Sequence, residues 1–290
     1  MKTLIVGCGY LGMHVGRALR QDDPAAEVFG TTRTSQSSSR FAGSCIHPIV
    51  ADVLDPASFV DLPRVDQIVH CVGYDRAAGV PMRRVYVDGL RHLLAHLDSC
   101  SWSGRFVLAS STGVYGQTGG EWVDETSPTR PGHASGIVCL EAEEVLRQWS
   151  AVSGNSATTI RFAGLYGPGR IVRRDAIVRG EPIIGDPNRW LNLIQIEDAA
   201  RAVQTVLRSG TPIPVIVAGD DRPTRRQEYY ELVARCLDAP IPHFLPPPEG
   251  SPEAARDESD KRVSNSFLRN HAGLALRYPD IATGVPASLA

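Results

Sequence analysis

The segment Gly7-Cys8-Gly9-Tyr10-Leu11-Gly12 constrains this chain more than any other. It reads GxGxxG and sits between an apolar run, Lys2–Val6, and a stretch where Leu11, Val15, Ala18 and Leu19 recur at helical spacing. A strand that turns on glycines into a helix leaves unpaired backbone N–H groups at the helix start, and these favour an anion. Gly7 permits the tight turn, Gly9 lets backbone approach a pyrophosphate, and Gly12 lets helix pack on strand. The plainer reading is a tight turn that holds no ligand.

The pattern continues beyond this unit. Val28–Thr32, Ile46–Val50, Gln67–Val72, Arg105–Ala109, Ala157–Phe162 and Pro214–Ala218 read as strands, and Val85–Leu97, Leu140–Trp149, Asp198–Leu207 and Gln227–Leu237 as helices. Near-continuous apolar strands alternating with amphipathic helices predict an α/β fold, a doubly wound parallel sheet covered on both faces. Residues 165–192 are rich in Gly, Pro and Arg, and residues 219–290 hold the run Pro246–Pro248 and the polar stretch Glu253–Lys261. The predicted division is therefore 1–164 plus 193–218 as a dinucleotide-binding domain, with 165–192 plus 219–290 as a smaller substrate-side domain.

Composition narrows the partners. A formal net charge of -2 over 290 residues argues against a nucleic-acid binder, which usually carries a basic face. No run of 18 apolar residues predicts a membrane span. The six cysteines form no CxxC pair and no HExxH occurs, so no metal site is expected and free thiols in a reducing cytoplasm fit best. His92 and His96 have i, i+4 spacing but no acidic or cysteine partner near in sequence, which suits a solvated helix face.

The tip of the second strand selects between two cofactors. NAD-binding folds usually place a carboxylate there for the ribose hydroxyls. Here Val28-Phe29-Gly30-Thr31-Thr32 runs into Arg33. A guanidinium suits a 2′-phosphate, so NADP(H) is expected over NAD(H), with Arg33 and Thr32 or Ser35 as contacts. The alternative is that Arg33 is a solvated loop residue. Asp52, after the third strand, is placed to accept from an adenine amino group, whereas Asp55 before Pro56 suits a helix cap.

With these features the chain resembles the extended short-chain dehydrogenases/reductases of NAD-dependent epimerase/dehydratase type. The resemblance rests on the glycine loop, Asp52-Val53-Leu54-Asp55, Ile68-Val69-His70-Cys71-Val72-Gly73 and Ser110-Ser111-Thr112-Gly113-Val114-Tyr115-Gly116. Arg161, Tyr166-Gly167-Pro168-Gly169 and Asn192-Leu193-Ile194-Gln195-Ile196-Glu197-Asp198 extend it, with Gln195 where the family usually has His. It implies a Rossmann domain, a nicotinamide cofactor also touched by Tyr10, Leu11, Val53, Val72, Gly73 and Ser110, and a small domain closing over a substrate such as a nucleotide sugar. It also implies that a homodimer would pair Val85–Leu97 and Leu140–Trp149 into a four-helix bundle.

The family's catalytic set is mostly missing. A phenol exchanges the substrate's proton, and an ammonium one helical turn later lowers its pKa from ~10. Ser111 matches the family's Ser. Registered from Glu143, the Tyr position holds Ser135 and the Lys position Cys139, while the Asn position holds Tyr86. Lys2 and Lys261 are the only lysines, and neither follows a Tyr by four residues. Thr112 and Gly113 stand where the family's dehydratases carry Asp-Glu.

Tyr86 could supply a phenol or simply pack on the sheet. His133, with an imidazole that titrates near ~6.5, could serve as acid or base or lie in an exposed loop. Ser135 is a candidate helix cap. Trp122-Val123-Asp124-Glu125 either meets a polar ligand or seals its loop. The arginines of 170–179 and 222–226 either grip an anion or are solvated surface. Two functions stay open: an NADP(H)-dependent oxidoreductase or epimerase acting on a polar small molecule through Ser111 with Tyr86 or His133, and a catalytically inactive NADP(H) sensor.

Overall fold

The computed structural model describes residues 1–251, 254 and 257–290. Glu253, Ala255 and Arg256 of the polar stretch therefore lie outside the described residues. Seven strands form one sheet: β1 (Lys2–Val6), β2 (Glu27–Thr32), β3 (His47–Val50), β4 (Gln67–His70), β5 (Arg105–Ser111), β6 (Ser156–Phe162) and β7 (Val215–Ala218). Their order is β7-β6-β5-β4-β1-β2-β3, and β3, β2, β1, β4 and β5 run parallel in register. Strand order reverses between β1 and β4, which creates a crevice at the strands' carboxyl ends. The doubly wound α/β expectation holds.

The chain divides into two compact units. The first comprises Met1–Ser110, Ile137–Arg161 and Ala200–Ile216. In it α1 (Tyr10–Asp22) buries Leu11 and Val15 of the set that the 3.6-residue period marked, leaves Ala18 and Leu19 half-buried, and buries Met13 besides. α1 packs closely on β1: a Cβ at Gly12 would stand 2.8 Å from Ile5 Cγ2. Burial of Leu4, Ile68, Leu90, Leu93, Phe106 and Leu146 builds one continuous core, each such side chain contributing roughly 1.5–3 kcal/mol of transfer free energy.

Two elements differ from expectation here. β4 ends at His70 rather than Val72, although Cys71 N still donates to Val6 O at 2.9 Å; beyond it the backbone leaves the ladder. The predicted helix over Val85–Leu97 opens as a π-helical turn, Arg84–Asp88, before α2 (Gly89–Ser99). Such turns recur at functional sites. On α2, His92 Nδ1 lies 2.9 Å from Val53 O and the His96 ring packs edge-on to Phe59 at 5.6 Å. That pair is therefore packed against its own fold, a correction to the solvated-face reading.

The second unit comprises Ser111–Gly136, Phe162–Ala199 and Val217–Ala290. α3 (Ala134–Ser153) begins in it and continues into the first. A short helix α4 (Arg174–Val178), α5 (Ile196–Arg208) up to Ala199, and α6 (Arg226–Cys236) follow. Its core gathers Tyr166, Ile177, Leu193, Tyr229, Val233 and Val285. Lys261, assigned from sequence to a polar stretch, instead starts a buried strand, Lys261–Val263, paired in parallel with Glu121–Val123. Tyr166 is fully buried, with its hydroxyl 3.5 Å from Asp220 Oδ2.

Candidate functional site

A cavity of about 520 Å³ opens at the carboxyl ends of β1 to β4, all within the first unit. Gly7 and Gly9 form its floor. Gly7 has φ +76°, and a Cβ there would meet Val72 Cα at 2.5 Å, so the turn requires glycine. A Cβ on Gly9 would meet nothing closer than Gly7 O at 3.9 Å, which leaves the approach to that backbone open. Gly9 is the N-cap of α1 and brings no side chain to it, so the first-turn N–H groups suit a pyrophosphate. A dinucleotide fits this cradle.

One wall comes from β3 and the residues after it, Ala51, Asp52, Val53 and Leu54. Asp52 is tied to its own loop: Oδ1 accepts from Leu54 N at 2.9 Å. Asp55 caps the following turn, with Oδ1 accepting from Ala57 N at 3.2 Å, as Pro56 implied. A second wall follows β4 and holds Val72, Gly73 and Asp75. A third runs from the tip of β2: Thr31, Thr32, Arg33, Thr34, Ser37 and Arg40.

This third wall held two surprises. The polar segment after Arg33 is not a loose loop but a 3₁₀ helix, Gln36–Phe41, and it returns Arg40 to the lining of the cavity that Arg33 also lines. Two guanidiniums thus line this wall where the sequence suggested one. Thr31, the expected Thr32, Thr34 and Ser37 carry the hydroxyls on that wall, while Ser35 is not part of the lining. Nothing in the spacing from Arg33 to Arg40 signals this, because a 3₁₀ turn is too short to show a hydrophobic period.

Other expected cofactor residues are not in this lining, although Tyr10, Leu11 and Gly12 carry the first-turn N–H groups of α1. Tyr10, Leu11, Gly12 and Ser110 do not line this cavity. Leu11 is in the core, the Tyr10 ring packs edge-on to His14 at 5.3 Å, and Ser110 Oγ donates to Glu143 Oε1 at 2.5 Å. Tyr86 lies on the π-helical turn next to Val85, a lining residue, and its ring meets Tyr74 edge-on at 6.4 Å.

Within the second unit a separate group gathers around Gly113. Ser111 Oγ accepts from Gly113 N at 3.0 Å and caps the 3₁₀ turn Thr112–Val114. A Cβ at Gly113 would stand 3.3 Å from Ser111 Oγ and 3.2 Å from His133 Cε1, so the hydroxyl and the imidazole flank one spot. His133 Nδ1 accepts from Gly136 N at 3.0 Å and lies 2.9 Å from Ser135 Oγ. His133, not Ser135, therefore caps α3, and Ser135 is inside the helix; this corrects the sequence reading. The cap has a chemical consequence: with Nδ1 accepting, the neutral ring carries its proton on Nε2.

Cys139, at the Lys position, is buried, and burial pushes its thiol up to about 11, which keeps it neutral; a cysteine in either state brings no positive charge to that position. Trp122 is 54% exposed with the Arg262 guanidinium 5.0 Å from its ring centroid. Of the flagged arginines, Arg179 pairs with Glu181, Arg226 with Asp257, and Arg225 stacks on Trp190 at 3.7 Å.

The family model for the NAD dependent epimerase/dehydratase family matches residues 3–219. The chain belongs to that family. Membership supports NAD(P)-dependent epimerase/dehydratase activity, and the family binds a nicotinamide dinucleotide. Protein YeeZ of Escherichia coli K12 is 27% identical over 286 residues, covering 96% of this chain and 97% of YeeZ. A solved structure from Methylobacillus flagellatus, assigned to the NAD-dependent epimerases/dehydratases, is 30% identical, with TM-score 0.78 over 99% of this chain and 97% of its own. The UDP-glucuronic acid 4-epimerase of Bacillus cereus, solved with UDP-glucuronic acid and NAD, shares the fold at 18% identity, TM-score 0.81, covering 100% and 98%. No described helix is long and apolar enough to cross a membrane.

Proposed function

We propose that this family member is an NADP(H)-preferring epimerase or oxidoreductase acting on a polar small molecule of the nucleotide-sugar kind. The observation that carries the cofactor preference is the pair Arg33 and Arg40 on one cavity wall, with Thr34 and Ser37 between them. Two guanidiniums with adjacent hydroxyls suit a phosphate monoester, whereas a ribose diol usually meets a carboxylate at the strand tip. The substrate class rests on what the Bacillus cereus relative is solved with. A bound nicotinamide supplies a site for reversible two-electron exchange.

The proton chemistry falls to residues of this chain other than a Tyr/Lys pair. Ser111 Oγ accepts from Gly113 N, which leaves its O–H to donate. The His133 imidazole stands across Gly113 from that hydroxyl while its Nδ1 caps Gly136, and it is the second group proposed to meet the substrate oxygen. Ser111 and His133 would orient and polarise one substrate oxygen. The experiment is calorimetric titration of the purified chain with NADP⁺ and NAD⁺, for wild type and Arg33→Ala. Tighter NADP⁺ binding that Arg33→Ala abolishes supports the reading; equal affinities in the wild type overturn it.

A second reading keeps the cofactor and drops turnover. The buried, uncharged Cys139 at the Lys position favours it, making the chain a sensor of NADP(H). Detectable oxidation of NADPH with any nucleotide sugar excludes that reading.

A further inference from the structure

Arg33 already has a partner across the cavity. Its Nη2 donates to Asp75 Oδ2 at 3.0 Å. Both residues line the cavity, Arg33 from the wall after β2 and Asp75 from the wall after β4, so the ion pair joins the two walls. Asp75 is also the first residue of its own small structure. Its Oδ1 accepts from Ala77 N at 3.0 Å and caps the 3₁₀ turn Arg76–Ala78. One carboxylate therefore holds a turn with one oxygen and the Arg33 guanidinium with the other.

We propose that Asp75 is a specificity-determining residue: it competes with the cofactor's 2′-phosphate for Arg33 and so limits the preference for NADP(H) over NAD(H). This rests on the reading that Arg33 faces the 2′ position. A phosphate monoester carries close to two negative charges at neutral pH, and it must take the guanidinium from a carboxylate 3.0 Å away. Like charges then stand on the two sides of one arginine. A free 2′-hydroxyl brings no charge, leaves the ion pair intact and can donate to the carboxylate. The exchange is feasible because the pair is weakly held. The side chains are 59% and 48% exposed, and such pairs contribute little to stability. Arg33 holds Asp75 below the usual carboxylate range, so the competing charge is present at every pH where the protein would work.

The test is Asp75→Asn in the full chain, with Kd for NADP⁺ and for NAD⁺ measured by calorimetry in low salt. Asn keeps an oxygen for Ala77 N, so the turn retains its cap, and a thermal melt checks folding. NADP⁺ should bind roughly three- to tenfold tighter while NAD⁺ changes by less than about twofold, in keeping with the removal of one exposed like charge. The gain should shrink as salt screens the charge. In an Arg33→Ala background the same substitution should give a smaller gain, because the guanidinium being competed for is gone.

Equal shifts for both cofactors, no shift, or weaker NADP⁺ binding would overturn the inference. The two readings fail separately. An NADP⁺/NAD⁺ ratio unmoved by Arg33→Ala removes the underlying assignment of Arg33. A ratio that falls with Arg33→Ala but does not rise with Asp75→Asn removes only the role of Asp75.

Discussion

Arg161 on β6 and Glu143 on α3 form an ion pair at 2.8 Å with both side chains at least 90% buried. The guanidinium meets the carboxylate through Nε as well as Nη2, and Ser110 Oγ donates to the same carboxylate. Three elements are thus joined at one buried charge. Breaking such a pair from one side is costly because the remaining charge stays desolvated. Glu143→Gln should lower unfolding free energy by about 3–5 kcal/mol in urea titrations, and Glu143→Leu/Arg161→Met should recover most of the loss. A single substitution that costs under about 1 kcal/mol would show that Arg161 does not depend on this carboxylate.

His133 joins a structural and a chemical task, and substitutions can separate them. His133→Ala removes the acceptor that caps Gly136 N and should cost about 1 kcal/mol. His133→Asn offers an oxygen at that place and should melt close to wild type. Neither variant carries a proton on an imidazole Nε2, so both should lose turnover of an accepted substrate, by about 100-fold or more. Full activity in His133→Asn would confine the residue to its cap.

His70 is fully buried, its ring stacked on Phe106 at 6.3 Å, and its Nε2 has no hydrogen-bond partner among the described residues. Burial lowers its pKa from 6.5 to about 4. The unfolded chain therefore binds more protons than the folded one between these two values, and stability falls as pH drops from about 6.5 to about 4. The contribution is on the order of 3 kcal/mol. Denaturation midpoints measured from pH 7 to pH 4 should fall less steeply in His70→Phe than in wild type. Parallel curves would mean that His70 plays no part in the acid limb.

Lys261 shows the opposite limb. Burial lowers its pKa from 10.5 to about 8, and Nζ donates to Ser259 Oγ at 2.7 Å. Between about pH 8 and 10.5 the unfolded chain holds the extra proton, so this residue makes stability rise with pH in that window. Lys261→Met should raise the melting temperature most at or below pH 8, with the advantage gone near pH 10.5. An advantage that is constant across the window would point to packing instead of charge.

Sequence by itself determined the sheet, its strand alternation and the cradle at Gly7 and Gly9. These are local: a strand, a turn and a helix start are contiguous, and their periods of 2 and 3.6 residues are written in single segments. Arg33 at the tip of β2 and Asp55 as a cap were legible for the same reason. Only tertiary structure decided which side chains share a charge or a spot. Asp75 meets Arg33 from 42 residues away, and Gln67 reaches Leu207 O across 140. Arg40 arrives through a turn with no readable period, and His133 stands by Ser111 because a Gly113 without a side chain lets them flank it. Lys261 is buried by a strand pairing that its polar neighbours conceal. Such meetings are set by packing between distant segments, which a one-dimensional pattern does not encode.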